Sequence, residues 1–173
     1  MILTALDRVT AYRMHTPKWA VAPTSGAGAA KHGGRLNRPG IPALYLCLDS
    51  ATAVTEYQQV STLLPPGTLV SYRVSAAPVV DFREGFQSPP WSPRWQAFDC
   101  DWRHLWFSEH VEPPSWVLAD EAIAAGAKGI LFHSRLSPGG VNLVLYTEVL
   151  AEGDSIAVFD PAGELPKDQQ SWS

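Results

Sequence analysis

Three side chains in this 173-residue chain stand out for the chemistry they could do: Arg35, Glu56 and Ser134. Arg35 follows Gly33 and Gly34 in "KHGGRLN". Two glycines let a backbone run close to a ligand and adopt positive φ. A guanidinium presented there has the planar fork that suits bidentate phosphate binding; it could equally be an ordinary exposed loop arginine. Glu56 lies in "SATAVTEYQQV", where Ala53, Tyr57, Val60 and Leu64 share one apolar face at helical spacing. Glu56 flanks that face, and a glutamate is rarely buried without a partner. Either it reaches water, or it meets an arginine or a ligand in a cleft. A fixed carboxylate beside developing positive charge stabilises the oxocarbenium-like state of glycosidic cleavage. Ser134 ends the apolar run "GILFHS", either as a plain strand-end residue or as a hydroxyl that bonds a ligand or orients the glutamate.

Three further residues carry a double reading. Tyr45, in the middle of "ALYLCL", is a core tyrosine or an aromatic platform for a ligand ring. Arg13, in "TAYRMH", could supply a second guanidinium. Asn142 is a polar residue inside the apolar run "VNLVLY", which a ligand or a backbone hydrogen bond would explain equally well.

The elements that must position these residues follow from pattern. "TAYRMH" (10–15) leans towards strand, and "APTSGAGAAKHGG" (22–34) reads as a flexible loop. "ALYLCL" (43–48) is a short buried strand. Asp49 or Ser50 can cap a helix from about Ala51 to Leu63, which "PPG" ends. "TLVSYRVS" (68–75) alternates as a strand with one apolar face, and "PVVDF" (78–82) reads as another. A helix over 115–129 starts on a Ser115 cap and ends at Gly126 or Gly129. "GILFHS" (129–134) and "VNLVLYTEVL" (141–150) read as a hairpin across the Ser-Pro-Gly-Gly turn, and "SIAVFD" (155–160) as a last strand. Strands outnumber helices without regular βαβ crossovers, so the fold class is α+β. The Trp- and Pro-rich stretch 83–114 holds Trp91, Trp95, Trp102 and Trp106. It reads as a large loop with a short helix packed by its own aromatics, or as the wall of a ligand pocket or partner surface. In the second case the chain could be a non-catalytic binding module.

Composition narrows the function classes. With 46% hydrophobic and 17% charged residues the chain is globular, and 173 residues suit one domain. A net charge of −4 without a basic run argues against direct nucleic-acid binding. No apolar run reaches membrane-spanning length, and "MILTALDRV" is broken too early to be a signal peptide, so a cytoplasmic location is expected. Cys47 and Cys100 lack zinc spacing and read as reduced core residues. The five histidines (15, 32, 104, 110, 133) show no metal spacing. "HGG" at 32–34 has no GxSxG companion, and HExxH, Walker A and GxGxxG are all missing.

Taken in order, "YR" near the start, "GGRLN…PALYL" with an acid eleven residues after the tyrosine, and "GILFHSRLSPGGVNLVLY" resemble the RES-domain family. That family comprises toxins of bacterial toxin–antitoxin pairs and is named for an arginine, a glutamate and a serine. Arg35, Glu56 and Ser134 match these three. The resemblance covers roughly residues 10–150, and 83–114 adds little to it. It implies one RES domain over 1–173, with small mixed or antiparallel sheets, flanking helices and a fold similar to ADP-ribosyltransferases such as the diphtheria-toxin catalytic domain. It implies NAD+ as substrate, cleaved at the nicotinamide–ribose bond by hydrolysis or phosphorolysis, or used to pass ADP-ribose to a protein. An Xre-type helix-turn-helix antitoxin is the implied partner, and no metal, membrane or nucleic acid is required. Arg35, Glu56 and Ser134 would be catalytic. Arg13 with Arg35 would hold the pyrophosphate, and Tyr45, Gly34 and Asn142 would complete the NAD+ site. The sequence departs from the family at Met14, where a tyrosine is usual, and at Leu36, where a tryptophan is usual.

Overall fold

The computed structural model describes residues 1–170. Its strands are β1 (Leu3–His15), β2 (Ala43–Cys47), β3 (Thr68–Asp81), β4 (Gly129–His133), β5 (Val141–Tyr146) and β6 (Ser155–Val158). They join in the order β1–β2–β5–β4–β3, and β3 pairs back onto β1. The result is one closed, barrel-like five-stranded sheet instead of separate small sheets, with β6 paired to β3 outside the ring. All pairings are antiparallel except β3–β4. The helices are α1 (Ala27–His32), α2 (Ser50–Gln58) and α3 (Pro114–Ala124). The architecture is α+β.

Strand alternation sorts the apolar residues into two cores. Leu44, Leu46, Val70, Val74, Leu131, Leu143 and Leu145 fill one. Their neighbours Ala43, Val80, Ile130, Phe132, Val144 and Tyr146 point the other way, onto α3 and the aromatic segment. Because β2, β4 and β5 are covered on both faces, they read in sequence as apolar runs, broken in β5 by Asn142. In the second core Trp91, Trp95 and Phe98 pack on Phe82, with ring centroids 4.8, 5.1 and 4.3 Å from it. The first part of the 83–114 stretch is therefore packed by its own aromatics, around a 3-10 turn at Pro93–Ala97.

Several boundaries differ from the pattern reading. The expected helix to Leu63 stops at Gln58, because Gln59 takes φ 57°. Val60 and Leu63 are then exposed, 91% and 78%, and do not extend an apolar helix face. The strands expected at 68–75 and 78–82 are one strand, because β1 pairs along its whole length. β1 itself begins seven residues before the expected Thr10, at Leu3. β5 ends at Tyr146, where a 3-10 turn takes over. The loop expected over 22–34 contains α1, a helix built largely of small residues. Pro113 caps α3; Ser115 sits inside it, and its hydroxyl leaves the helix to bond the Arg35 carbonyl.

Candidate active site

Glu56 projects from the last turn of α2. The start of that helix is fixed by Asp49, whose carboxylate accepts from the Thr52 amide at 2.7 Å. The β4–β5 hairpin brings the other partners: Phe132 pairs with Asn142 and His133 with Val141, so Ser134 emerges beside Asn142. Ser134 Oγ donates to Glu56 Oε1 at 2.7 Å, and Asn142 Nδ2 donates to the same oxygen at 2.7 Å. The serine oxygen itself accepts from the amides of Leu136 and Ser137, which leaves its single proton for the glutamate. The far end of the Asn142 amide is also held: its Oδ1 accepts from Cys47 Sγ at 3.2 Å. Burial first, then the charges of Glu56 and Asp49, push the Cys47 thiol up to about 12, so it stays a neutral donor. Among the described residues no donor reaches Glu56 Oε2. Asn142 is thus explained by a side-chain bond, not by a backbone one.

The opposite wall is the Gly-Gly-Arg turn. Gly33, at φ 77°, ends α1 and donates to the Ala29 carbonyl at 2.8 Å. Gly34 is where the chain passes Tyr45: a Cβ there would lie 2.6 Å from the tyrosine hydroxyl and 2.5 Å from Asn37 Oδ1. Four groups then fix the turn. Trp116 Nε1 donates to the Gly34 carbonyl at 2.6 Å, and Ser115 Oγ to the Arg35 carbonyl at 2.5 Å. The Leu36 amide donates to Tyr45 Oη at 2.9 Å, and Tyr146 Oη to the Leu36 carbonyl at 3.0 Å. Tyr45 Oη in turn donates to Asn37 Oδ1 at 2.8 Å. Arg38 anchors the end of the turn on Glu112 and Asp120, at 2.7 and 2.5 Å.

With its backbone so held, Arg35 presents a half-buried guanidinium whose only hydrogen bond among the described residues is a long one, 3.4 Å, to the Cys100 carbonyl. Burial pulls its pKa below the usual arginine range, the neighbouring Arg135 lowers it further, and Asp99 opposes. Arg13 comes from β1, next to β2, and donates to the Tyr45 carbonyl at 3.0 Å. Burial lowers its pKa too, against the influence of Tyr72, Tyr45 and Cys47. An arginine so placed remains a cation.

Between these walls lies a cleft of about 630 Å³, within the range of small-molecule sites. Arg13, Gly34, Arg35, Tyr45, Glu56 and Asn142 all line it. Ser134 stands behind Glu56 and reaches the cleft through that bond. Met14 lines the cleft, whereas Leu36 is fully buried in the second core. Trp102, Asp99 and Asp101 show that the later part of the 83–114 stretch is indeed a pocket wall. Cys100 is half-buried beside it, not in the core as expected. Sequence reasoning missed Trp116, Ser115, Asn37 and Tyr146, which hold the turn, and Tyr57 and Arg135, which line the cleft. Only Asn37 carried a signal, an asparagine closing a Gly-Gly turn. Among the described residues no group of three or more His, Cys, Asp or Glu side chains could hold a metal, and no helix is long and apolar enough to cross a membrane.

The RES-domain family model matches residues 10–168, so this chain belongs to the RES-domain family. No curated protein matches the sequence. Among solved structures, a chain of the crystal structure of the M. tuberculosis MbcT–MbcA toxin–antitoxin complex superposes with a TM-score of 0.61. The two chains are 19% identical over 92% of this chain and 84% of the other, which is a likeness of fold.

Proposed function

We propose that this RES-domain protein is the toxin of a bacterial toxin–antitoxin pair and acts by cleaving the nicotinamide–ribose bond of NAD+. The observation that carries this is the carboxylate of Glu56, gripped at Oε1 by Ser134 and Asn142 with Oε2 unengaged among the described residues, in a cleft that also holds Arg13 and Arg35. Arg35 and Arg13 bind the pyrophosphate. Glu56 faces the nicotinamide ribose and bonds a ribose hydroxyl. The C1′–N1 bond breaks with its electron pair passing to nicotinamide, which turns from a pyridinium into a neutral base and needs no proton to leave. The carboxylate stabilises the ribosyl cation that remains. An oxygen of water then bonds to C1′, and its proton passes to solvent, giving ADP-ribose; with phosphate as acceptor the product is a sugar phosphate. The family's likeness to ADP-ribosyltransferases, and its Xre-type antitoxin seated over the cleft, belong to the same proposal.

Transfer of ADP-ribose to a protein is the second reading. It is favoured by the exposed apolar strip of Val60, Leu63 and Leu64, which begins at the cleft wall and offers a surface for an acceptor. Incubation with NAD+, with and without phosphate, tests both. Free nicotinamide with ADP-ribose or its phosphate supports cleavage; label from NAD+ on a lysate protein supports transfer. A protein that releases no nicotinamide under any of these conditions is a binding module, and the proposal fails.

A further inference from the structure

We propose that Arg135 is a third arginine of the pyrophosphate subsite, beside Arg35 and Arg13, and that it pairs with Arg35. This rests on the NAD+ reading and assigns to it a residue that the Arg-Glu-Ser set leaves out. Arg135 follows Ser134, so the strand end that orients Glu56 also delivers a guanidinium to the cleft wall.

Its hydrogen bonding parallels that of Arg35, with Arg135 exposed at the cleft rim and Arg35 half-buried. Arg35 donates to the Cys100 carbonyl and Arg135 to the Asp99 carbonyl at 3.2 Å, adjacent peptide oxygens of one segment. Neither guanidinium forms an ion pair with a carboxylate among the described residues. Two cations are thus turned towards the same stretch of backbone, and each uses one of its five N–H donors among the described residues. Like charges side by side repel, and Arg135 is the charge that most depresses the Arg35 pKa. A ligand carrying two linked phosphates removes that repulsion and fills both forks. Arg13 lines the same cleft from the β1 side, where it donates to the Tyr45 carbonyl.

Binding of ADP-ribose and of adenosine, measured by calorimetry, tests the assignment without turnover. The Arg135→Ala protein is expected to bind ADP-ribose about tenfold more weakly than wild type, with Arg135→Lys between the two and adenosine binding unchanged. Arg73→Ala removes one exposed arginine from β3 outside the cleft and is expected to bind ADP-ribose as wild type does. Equal ADP-ribose affinity in Arg135→Ala and wild type would overturn the assignment. So would an equal loss for adenosine, since that reports a disturbed cleft, and so would a wild-type protein that binds no ADP-ribose. A wild type that binds ADP-ribose in the expected Arg135-dependent way but releases no nicotinamide from NAD+ would sink the cleavage reading and leave Arg135 in place.

Discussion

Both donors to Glu56 converge on one oxygen, so each partly covers for the loss of the other. Ser134→Ala or Asn142→Ala is expected to slow nicotinamide release by roughly tenfold, the worth of one hydrogen bond to a charged group. The double variant should lose more than either, and a double-mutant cycle on initial rates reads the difference. Asn142→Asp is expected to be worse than Asn142→Ala at neutral pH. It sets a second carboxylate against Glu56 Oε1, and two acids at that distance cannot both ionise comfortably. Its activity should therefore recover as pH is lowered, once the pair shares a proton that the new acid can donate. A pH–rate profile identical in shape to that of the alanine variant would contradict this. At this scale the sequence was readable by residue type: an acid flanking a helix face and an asparagine inside an apolar strand are both anomalies that demand partners. That they are each other's partner was not readable, because 86 residues separate them and only the β4–β5 register brings them together.

The Gly-Gly-Arg turn is shaped by other elements more than by its own residues. α3 reaches it through Trp116 and Ser115, and the sheet through Tyr45 and Tyr146. Gly34→Ala is expected to displace the Tyr45 hydroxyl or the Asn37 amide, since its Cβ would stand 2.6 and 2.5 Å from them. Substrate affinity should fall while the protein stays folded; a crystal structure of the variant with an unmoved turn would contradict this. Trp116→Ala removes a fully buried side chain as well as the bond to Gly34. A loss of about 3–5 kcal/mol in chemical denaturation is expected, and Trp116→Phe should recover much of the packing but not the turn geometry. α2 shows why element boundaries escape pattern reading. Val60, Leu63 and Leu64 continue its 3.6-residue period, yet Gln59 turns the chain away, and Tyr57 donates to the Pro66 carbonyl at 2.7 Å to hold the new path. Local turn bonds override the periodicity there. Ser115 misleads in the opposite way: a serine before an apolar helix looks like a cap, but its hydroxyl serves a backbone carbonyl 80 residues away.

Ring closure belongs to the molecule as a whole, because it joins the first strand to the third. The alternation of β1 is interrupted by register shifts around Leu6 and by Arg8 at φ 49°, which hides its first half from period counting. The buried strands and the hairpin, by contrast, follow from contiguous apolar runs and one Gly-Gly turn. At the far end of β1, His15 bonds the Tyr72 hydroxyl at 2.6 Å, and that hydroxyl donates to the Pro23 carbonyl at 2.8 Å. The imidazole is therefore the donor and is held neutral; burial, with Arg13 adding, lowers its pKa from 6.5 to about 4. The unfolded chain binds that proton more readily, so stability is full above pH 6.5 and is lost as pH falls through about 4. Urea unfolding across that window should show a shallower pH slope for His15→Gln than for wild type; equal slopes would contradict it. The function attributed to the whole chain is tested most directly by the initial rate of nicotinamide release from NAD+, for wild type and Glu56→Gln side by side. The account predicts measurable release by wild type and a fall of roughly a hundredfold or more in the variant at unchanged melting temperature. Release by Glu56→Gln at the wild-type rate would contradict it.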